Sequence, residues 1–245
     1  MALGILDLLT PSRGRRVQRL LKGPGADHVY MIHVGLGWAF ARLHRRPWGP
    51  FAPMNCWLRW LVLDGYGFHQ AFFKPERFVQ DHQRPRKLRG YALRAFDQGV
   101  GRSLWFVEGA DVERVAATVR SFEASRQPDL WSGVGLAACY AGGIGRPDLE
   151  LLVVLSRNHH QALAQGAAFA AKARDRAGNV VPHNELGCQV MCGMDVHKAG
   201  DLTDGALWLA SLSPGHHSPD GVYEMWRRAI QAYWSQESHP IGDQA

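Results

Sequence analysis

Polar residues set into otherwise apolar stretches are the first candidates for chemistry in this sequence. His69, Asp97, His183 and Glu185 are of the types that transfer protons, because their side chains can both bind and release one. Arg102 is of the type that orients a carboxylate or polarises a carbonyl group. Burying such groups costs free energy unless they are paired. We therefore predict that these five residues form an acid/base catalytic set.

Each of these residues also has a purely structural interpretation. A core histidine with a satisfied ring would explain His69, and a helix N-cap would explain Asp97 and Asp129. An ion pair with Asp97 would explain Arg102. Asn184 would cap the helix that starts near it. The sequence leaves the catalytic and the structural interpretations open.

Four further residues are predicted to bind a substrate. Asp64 lies five residues before His69, and Asp129 begins the stretch "DLWSG". Trp105 and Trp131 belong to a set of nine tryptophans. Tryptophans are more often core residues, but several along one groove would suit a long apolar ligand.

The cysteines do not predict a metal site. Cys188 and Cys192 are four residues apart and would share one helical face, but a structural zinc site needs further ligands. With Cys56 and Cys139 they make four cysteines in 245 residues, which is not a disulfide framework. We expect reduced thiols, no metal and no cofactor.

A glycine-rich stretch, "FDQGVGRSLWFV", raises the question of a phosphate-binding loop at Gly99 and Gly101. A dinucleotide-binding loop needs a preceding strand and a third glycine, whereas the preceding pattern is helical and Leu104 holds the third position. A Walker-type lysine is also missing. The sequence therefore argues against a nucleotide cofactor.

The same glycine pattern recurs along the chain. Gly-x-Gly pairs begin at Gly65, Gly99 and Gly133, and the related "QGAAF" contains Gly166, so that the first glycines are 34, 34 and 33 residues apart. Similar small and large apolar residues follow each glycine. A glycine within a helix costs about 1 kcal/mol relative to alanine. Its repeated use predicts that the helix backbones approach one another closely.

A second helical pattern follows each glycine-headed segment. Ala110 to Phe122 places Val112, Val115, Ala116 and Val119 on one face, and Arg146 to Leu155 begins with residues typical of a first turn. The chain is therefore predicted to be all-α, built from stacked helix-turn-helix hairpins of about 34 residues. This arrangement is similar to a tetratricopeptide α-solenoid, either open or curled into a closed array.

The predicted organisation has four parts. Residues 1–30 form a basic N-terminal segment, 31–212 the helical repeats, 213–235 a C-terminal helix on the array, and 236–245 a flexible tail. Hydrophobic residues make up 46% and charged residues 20% of the chain, which is typical of a folded domain.

A formal net charge of +6 favours acidic partners. The excess is concentrated in Ser12 to Lys22 and in "RPRKLR", Arg84 to Arg89, and neither run is interleaved with aromatic residues as a nucleic-acid groove would be. No stretch reaches the ~18 apolar residues of a spanning helix. The first apolar run precedes the arginines, which is the reverse of a signal peptide. We expect a cytoplasmic protein with no nucleic-acid partner and no stable membrane insertion.

Several stretches resemble a bacterial family of unknown molecular function, the enediyne biosynthesis proteins of the UnbL type. They are "WLVLDGYGFHQAFF", "RGYALRAFDQGVGRSLWFVEGADVERVAATV", "DLWSGVGLAACYAGG" and "LAQGAAFAAKARDRAGN", and the likeness covers roughly Gly35 to Gly193. Members of that family look longer at the N-terminus, and we expect this chain to be a shortened form. The resemblance implies a place in polyketide or other secondary-metabolite biosynthesis.

These observations lead to two functional hypotheses. The first is a protein whose groove binds a long apolar or polyene intermediate and acts as a cofactor-independent cyclase or isomerase. The second is a non-catalytic scaffold that binds a pathway enzyme or an acidic acyl carrier protein, with Arg84 to Arg89 as the carrier-binding patch. An enclosed apolar pocket favours the first, and an open groove favours the second.

Overall fold

The structure is a computed structural model that describes residues 1–12, 14–47, 58–212 and 219–236. Within these ranges every regular element is a helix, which confirms the all-α prediction. The α-helices are α1 (Ala2–Leu9), α2 (Arg15–Leu21), α3 (Val29–Arg42), α4 (Arg59–Phe73), α5 (Tyr91–Val107), α6 (Val112–Ser121), α7 (Gln127–Ala141), α8 (Arg146–Leu155), α9 (His160–Arg176), α10 (Pro182–Cys192), α11 (Val196–Leu212) and α12 (Pro219–Gln236). No helix of the described ranges is long and apolar enough to cross a membrane.

Five long helices form a row in which each packs on the next. The order of contact is α3, α4, α5, α7 and α9, and the shorter helices α6, α8 and α10 pack on one another beside this row. The helix α11 packs on α9, and α12 packs on both of them. Side chains of α3, α5, α7, α9 and α12 surround a common space, which is the candidate site.

Glycines allow the helices of the row to touch backbone to backbone. A Cβ on Gly101 of α5 would overlap the Leu130 carbonyl oxygen of α7, and a Cβ on Gly133 of α7 would overlap the Gln98 carbonyl oxygen of α5. Equivalent reciprocal contacts join the other neighbours through Gly37 with Gly65, Gly67 with Gly99, and Gly135 with Gly166. The prediction that these glycines serve close helix packing is confirmed.

The short helix α6 matches its sequence pattern. Its predicted apolar face is buried in full: Val112, Val115, Ala116 and Val119. The Asp111 carboxylate caps the first turn by accepting hydrogen bonds from the backbone N–H groups of Glu113 and Arg114. Local periodicity and a capping residue therefore account for this element.

The connection between α4 and α5 departs from the predicted hairpin. In place of a second α-helix, this segment contains one π-helical turn, Glu76–Gln80. Pro75 and Pro85 bracket this turn, and proline in a helix interior removes a backbone hydrogen bond and disfavours a longer helix. The units therefore differ from one another, and a uniform 34-residue solenoid stays a prediction.

The C-terminal helix α12 is held on the row by polar anchors. The Trp226 indole N–H donates to the Thr203 carbonyl oxygen at 2.7 Å, and Arg227 Nη1 lies 2.7 Å from Asp129 Oδ1. The domain boundary predicted at 213 falls on residues 213–218, outside the described residues, as does Cys56. The predicted tail begins at Gln236, which is instead the last residue of α12, and its other residues, 237–245, lie outside the described residues.

Candidate functional site

Two adjoining cavities lie in the space between the long helices. Their volumes are about 30 and 340 Å³. They share five wall residues, Met31, Val34, Arg102, Leu136 and Tyr140. Because so much of the wall is common, we treat the two cavities as one continuous space and call it the apolar groove.

Aromatic side chains line both ends of the apolar groove. Phe169, Tyr223 and Trp226 belong to the walls of the smaller cavity. The larger cavity has Trp38 and Phe68 in its walls. Such walls favour an apolar and preferably unsaturated ligand, because ring faces and edges contact flat π-systems well.

The close helix crossings position the central wall residues. Arg102 directly follows Gly101, and Leu136 directly follows Gly135, so both side chains emerge beside points where backbones touch. Tyr140 lies four residues after Leu136 and therefore on the same face of α7. The glycine pattern thus places Arg102, Leu136 and Tyr140 around one space.

Arg102 supplies a positive charge at the junction of the two cavities. Its Nη1 lies 2.8 Å from Oδ1 of Asp64, and its side chain is only 8% exposed. The guanidinium carbon also lies 5.2 Å from the centroid of the Phe68 ring. An arginine has five N–H donors, so one carboxylate leaves donors for a ligand.

The Asp64 carboxylate lies behind Arg102 and outside the groove walls. Burial raises the pKa of Asp64, while Arg102 and Arg227 act in the opposite direction. Although Oδ1 is close to the guanidinium, it lacks a well-aligned hydrogen bond within the described residues. The carboxylate therefore engages Arg102 through one nitrogen, and the other N–H groups of the guanidinium are available to a ligand.

Lys172 is a second cation in the walls of the smaller cavity. Its Nζ lies 2.5 Å from Asp204 Oδ2, and this carboxylate is more than half exposed. Because that contact engages the ammonium group at the edge of the cavity, Lys172 is less suited than Arg102 to hold a buried anionic group.

His69 packs among aromatic rings and is absent from the walls of both cavities. Its ring centroid lies 5.4 Å from that of Trp38 and 4.6 Å from that of Phe73. Burial, and then the nearby charge of Arg42, lowers the pKa of His69 to about 4. The imidazole is therefore neutral at pH 7, and Trp38 stands between it and the groove.

The structure excludes the alternative in which Asp97 pairs with Arg102. Asp97 instead accepts hydrogen bonds from Nη2 and Nε of Arg126 at 2.7 and 3.2 Å, and it also binds Arg84. Five positions along a helix rotate a side chain by about 140° relative to the first, so Asp97 and Arg102 point to different neighbours. Asp97 lies in the middle of α5, so the N-cap interpretation is also wrong.

The predicted substrate-binding residues other than Asp64 are engaged in packing. Asp129 lies in the first turn of α7, where it is not the N-cap, and binds Arg94 and Arg227. The Trp105 indole N–H donates to the Gly142 carbonyl oxygen at 2.9 Å, and Trp131 is 1% exposed. None of these three is a wall residue of the apolar groove.

His183 and Glu185 lie on α10, away from the groove walls. His183 Nε2 is 3.1 Å from the Tyr140 carbonyl oxygen, and Glu185 accepts hydrogen bonds from Gln189 and from the backbone N–H of Val196. Glu185 therefore caps the start of α11. The structure brings Arg102 and Asp64 together, and it does not bring His69, Asp97, His183 and Glu185 to the same space.

Asn184 caps α10 from inside its first turn. Its Oδ1 accepts a hydrogen bond from the backbone N–H of Val181 at 3.0 Å, and its amide donates to the Cys139 carbonyl oxygen at 2.7 Å. The predicted capping role is confirmed at a different position, because Asn184 is the third residue of the helix.

Three buried thiols cluster between α7 and α10. Cys139 Sγ lies 3.5 Å from Cys188 Sγ, and Cys192 follows one turn later. The hydrogen bond with Cys188 and burial raise the pKa of the Cys139 thiol. Among the residues that the structure describes, no group of three or more His, Cys, Asp or Glu side chains could hold a metal ion.

Several residues that line the groove were not predicted to be site residues from the sequence. Leu136, Tyr140, Phe169 and Tyr223 have apolar or aromatic side chains that look like ordinary core positions. One signal was available for Leu136, because it follows a repeat glycine as Arg102 does. No comparable signal marks Phe169 or Tyr223.

Comparison with known proteins places the chain in a family without placing it in a known reaction. No curated protein and no solved structure matches it significantly. A family model described as "Protein of unknown function (DUF1702)" matches residues 1–234, which is nearly the whole chain. The protein therefore belongs to this family.

Proposed function

We propose that this protein binds an elongated apolar molecule that carries one carboxylate or one strongly polarised carbonyl group. The observation that supports this function is the position of Arg102, whose side chain belongs to the walls of both cavities of the apolar groove. The apolar part of the ligand would lie along the aromatic walls of the larger cavity, because the smaller one is too small to hold a chain. Its oxygen group would accept charge-assisted hydrogen bonds from the guanidinium.

The chemical class of the ligand is a polyene or polyketide-type acid of bacterial secondary metabolism. The enediyne context rests on the sequence resemblance alone, and the aromatic walls at Trp38 and Phe68 are compatible with an unsaturated chain. A cytoplasmic location belongs to the same proposal.

Catalysis by a cofactor-independent cyclase or isomerase is a further step that stays a prediction. In such a reaction Arg102 would polarise a carbonyl group of the ligand, and Asp64 would hold the guanidinium in place. His69 is neutral at pH 7 but lies behind Trp38. Binding is therefore the function that the geometry supports best.

An acidic acyl carrier protein is also a proposed partner. The contacts of Arg84 and Arg89 determine which residues of the basic patch should be changed to test it. Arg84 binds the buried Asp97 carboxylate, so its neutralisation would disturb the fold as well as the surface. Arg89 Nη1 donates to the carbonyl oxygens of Arg86 and Leu88. The informative change is therefore the exposed pair Arg86→Gln/Lys87→Gln, measured by carrier-protein affinity at low salt.

Native mass spectrometry of the protein purified from its own host tests the binding function directly. The expected result is a retained small molecule with a long unsaturated chain and one acidic or carbonyl group. A complementary titration uses dodecanoic acid and 1-dodecanol, which share a chain and differ in the head group. Equal affinities for the acid and the alcohol would contradict the role of Arg102.

A further inference from the structure

Three phenylalanine side chains are exposed where α4 and α5 end. Phe72, Phe73 and Phe106 are 38%, 49% and 45% exposed. The ring centroids of Phe72 and Phe73 lie 5.1 Å apart, and Phe68 lies 5.8 Å from Phe72 and 5.5 Å from Phe106. These contacts join the three exposed rings into one surface, which we call the phenyl patch.

The phenyl patch is continuous with the apolar groove. Phe106 belongs to the walls of the larger cavity together with Phe68 and Trp38. The Trp38 ring lies 5.8 Å from that of Phe73. An unbroken apolar path therefore runs from exposed side chains to the wall that carries Arg102.

Basic side chains flank the phenyl patch. The end of α3 carries four exposed ones: Arg42, His44, Arg45 and Arg46. Lys74 follows Phe73 directly. After burial, the positive charges of Arg42 and Lys74 contribute to the lowered pKa of His69, whose ring lies 4.6 Å from that of Phe73. These charges therefore act at the edge of the patch.

Two of the nearby acids are engaged with a neighbouring arginine, whereas Glu76, three residues after Phe73, is exposed. Glu108, two residues after Phe106, accepts a hydrogen bond from Thr118 at 2.8 Å and lies 4.0 Å from Arg114 Nε. Asp111 lies 3.3 Å from the same nitrogen. The side of the patch that faces α3 is thus the positive side.

We propose that this end of the molecule docks on an anionic lipid surface. The phenyl side chains would enter the boundary between headgroups and acyl chains, and the arginines at the end of α3 would contact the headgroups. This inference rests on the proposed function, because a long apolar ligand is sparingly soluble and can pass from lipid into the groove along the phenyl patch. Phenyl rings without a polar tip, next to exposed guanidinium groups, suit lipid better than the acidic surface of a carrier protein.

The carrier-binding candidate lies at the other end of the same helix. Arg84 to Arg89 precede the first turn of α5, whereas Phe106 is in its last turn. A 17-residue helix is about 25 Å long, so the two surfaces are well separated. Changes at one surface therefore serve as controls for the other.

Vesicle flotation with the full chain tests the docking surface. The probes are vesicles of phosphatidylcholine alone and vesicles in which about a third of it is replaced by phosphatidylglycerol. We expect binding to the anionic vesicles that weakens with salt, and a partition coefficient at least tenfold lower for Phe72→Ser/Phe73→Ser and for Arg45→Gln/Arg46→Gln.

Matched pairs elsewhere on the surface control for general effects. Leu151→Ser/Val154→Ser removes two exposed aliphatic side chains, and Arg86→Gln/Lys87→Gln removes the same charge as the arginine pair. Both should bind vesicles as the wild type does. Equal losses in the control pairs, binding to neutral vesicles alone, or no vesicle binding would overturn the proposal. The proposal would also be overturned if the phenyl-patch variants lost affinity for an acyl carrier protein but bound vesicles as the wild type does.

The two proposals fail in different ways. Asp64→Asn/Arg102→Gln should still bind anionic vesicles while losing its preference for the acid over the alcohol. The phenyl-patch variants should lose vesicle binding and keep the preference for the acid over the alcohol. This combination of results would separate docking on lipid from ligand binding in the groove.

Discussion

The guanidinium of Arg102 and the carboxylate of Asp64 form a buried ion pair beside the apolar groove, with Nη1 2.8 Å from Oδ1. The pair joins α5 to α4 at the point where these helices touch, since a Cβ on Gly99 of α5 would overlap the carbonyl oxygen of Asp64 itself. Its outer face belongs to the wall of both cavities. The candidate binding group therefore lies at the crossing of α4 and α5.

Removing this ion pair as a unit should change ligand preference. Asp64→Asn/Arg102→Gln leaves no unpaired buried charge but deletes the guanidinium, and a hydrogen bond to a charged group contributes about 1.5–3 kcal/mol. The affinity ratio of dodecanoic acid to 1-dodecanol should fall by about tenfold or more in calorimetric titrations. Lys172→Gln is the control, because this ammonium group contacts Asp204 at the cavity edge. A double variant that keeps the wild-type ratio would exclude Arg102 as the head-group site.

Adding a methyl group at a helix crossing should destabilise the fold. A Cβ at Gly101 would overlap the Leu130 carbonyl oxygen, whereas a Cβ at Gly205 in α11 meets nothing within 4 Å. We expect Gly101→Ala to lower the free energy of unfolding by about 3 kcal/mol, and Gly205→Ala to raise it by about 0.5–1 kcal/mol. Urea unfolding measures both. Similar values for the two variants would contradict backbone contact between α5 and α7.

The stability of the fold should depend on pH through His69. Burial, and then Arg42, holds the pKa of this imidazole at about 4, whereas it is about 6.5 in an unfolded chain. Below about pH 6.5 the unfolded chain binds a proton that the folded protein does not, so the free energy of unfolding falls, and this fall ends near pH 4.

Replacing His69 removes this dependence. Between pH 7 and pH 5, His69→Phe should lose about 2 kcal/mol less stability than the wild type in urea unfolding. The His28→Gln variant removes an exposed imidazole and is the matched control for the loss of a histidine. A His69→Phe curve parallel to that of the wild type would contradict a buried neutral imidazole.

The anchor of α12 should contribute far more stability than its exposed neighbour. Arg227 is 1% exposed and binds Asp129, whereas the Arg228 side chain is 72% exposed and binds Glu224. Arg227→Met should cost about 1.5–3 kcal/mol because the buried Asp129 carboxylate keeps Arg94 but loses its second arginine, and Arg228→Met less than about 1 kcal/mol. Thermal unfolding of the two variants makes the comparison. Equal midpoints would contradict the role of Arg227 as an anchor of α12.

Local signals were sufficient for much of the helical framework. The predicted Arg146 to Leu155 segment agrees with α8, and the apolar face predicted for α6 is the buried one. Both follow from periodicity and turn residues within about ten positions. The segment between α4 and α5 was mispredicted, because two prolines there limit helix formation to the turn Glu76–Gln80.

The candidate site could be predicted only in part. Arg102 stood out as a charged residue within an apolar helix, and it does belong to the groove walls. The partner that the structural interpretation offered was Asp97, five residues away, whereas the observed partner is Asp64 on the preceding helix. Tyr140 and Phe169 were missed because an aromatic residue at helical spacing is the same in a sequence whether it fills a core or lines a cavity.

By itself, the sequence determined that the chain is helical and that glycines mark close helix approaches, since both depend on the spacing of neighbouring residues. It also determined the positive net charge and the polar groups available for chemistry. Only the tertiary structure decided which of those groups meet. A side chain on one helix reaches its partner on another through the rotation of each helix and its crossing point, and these follow from the packing of all the helices together.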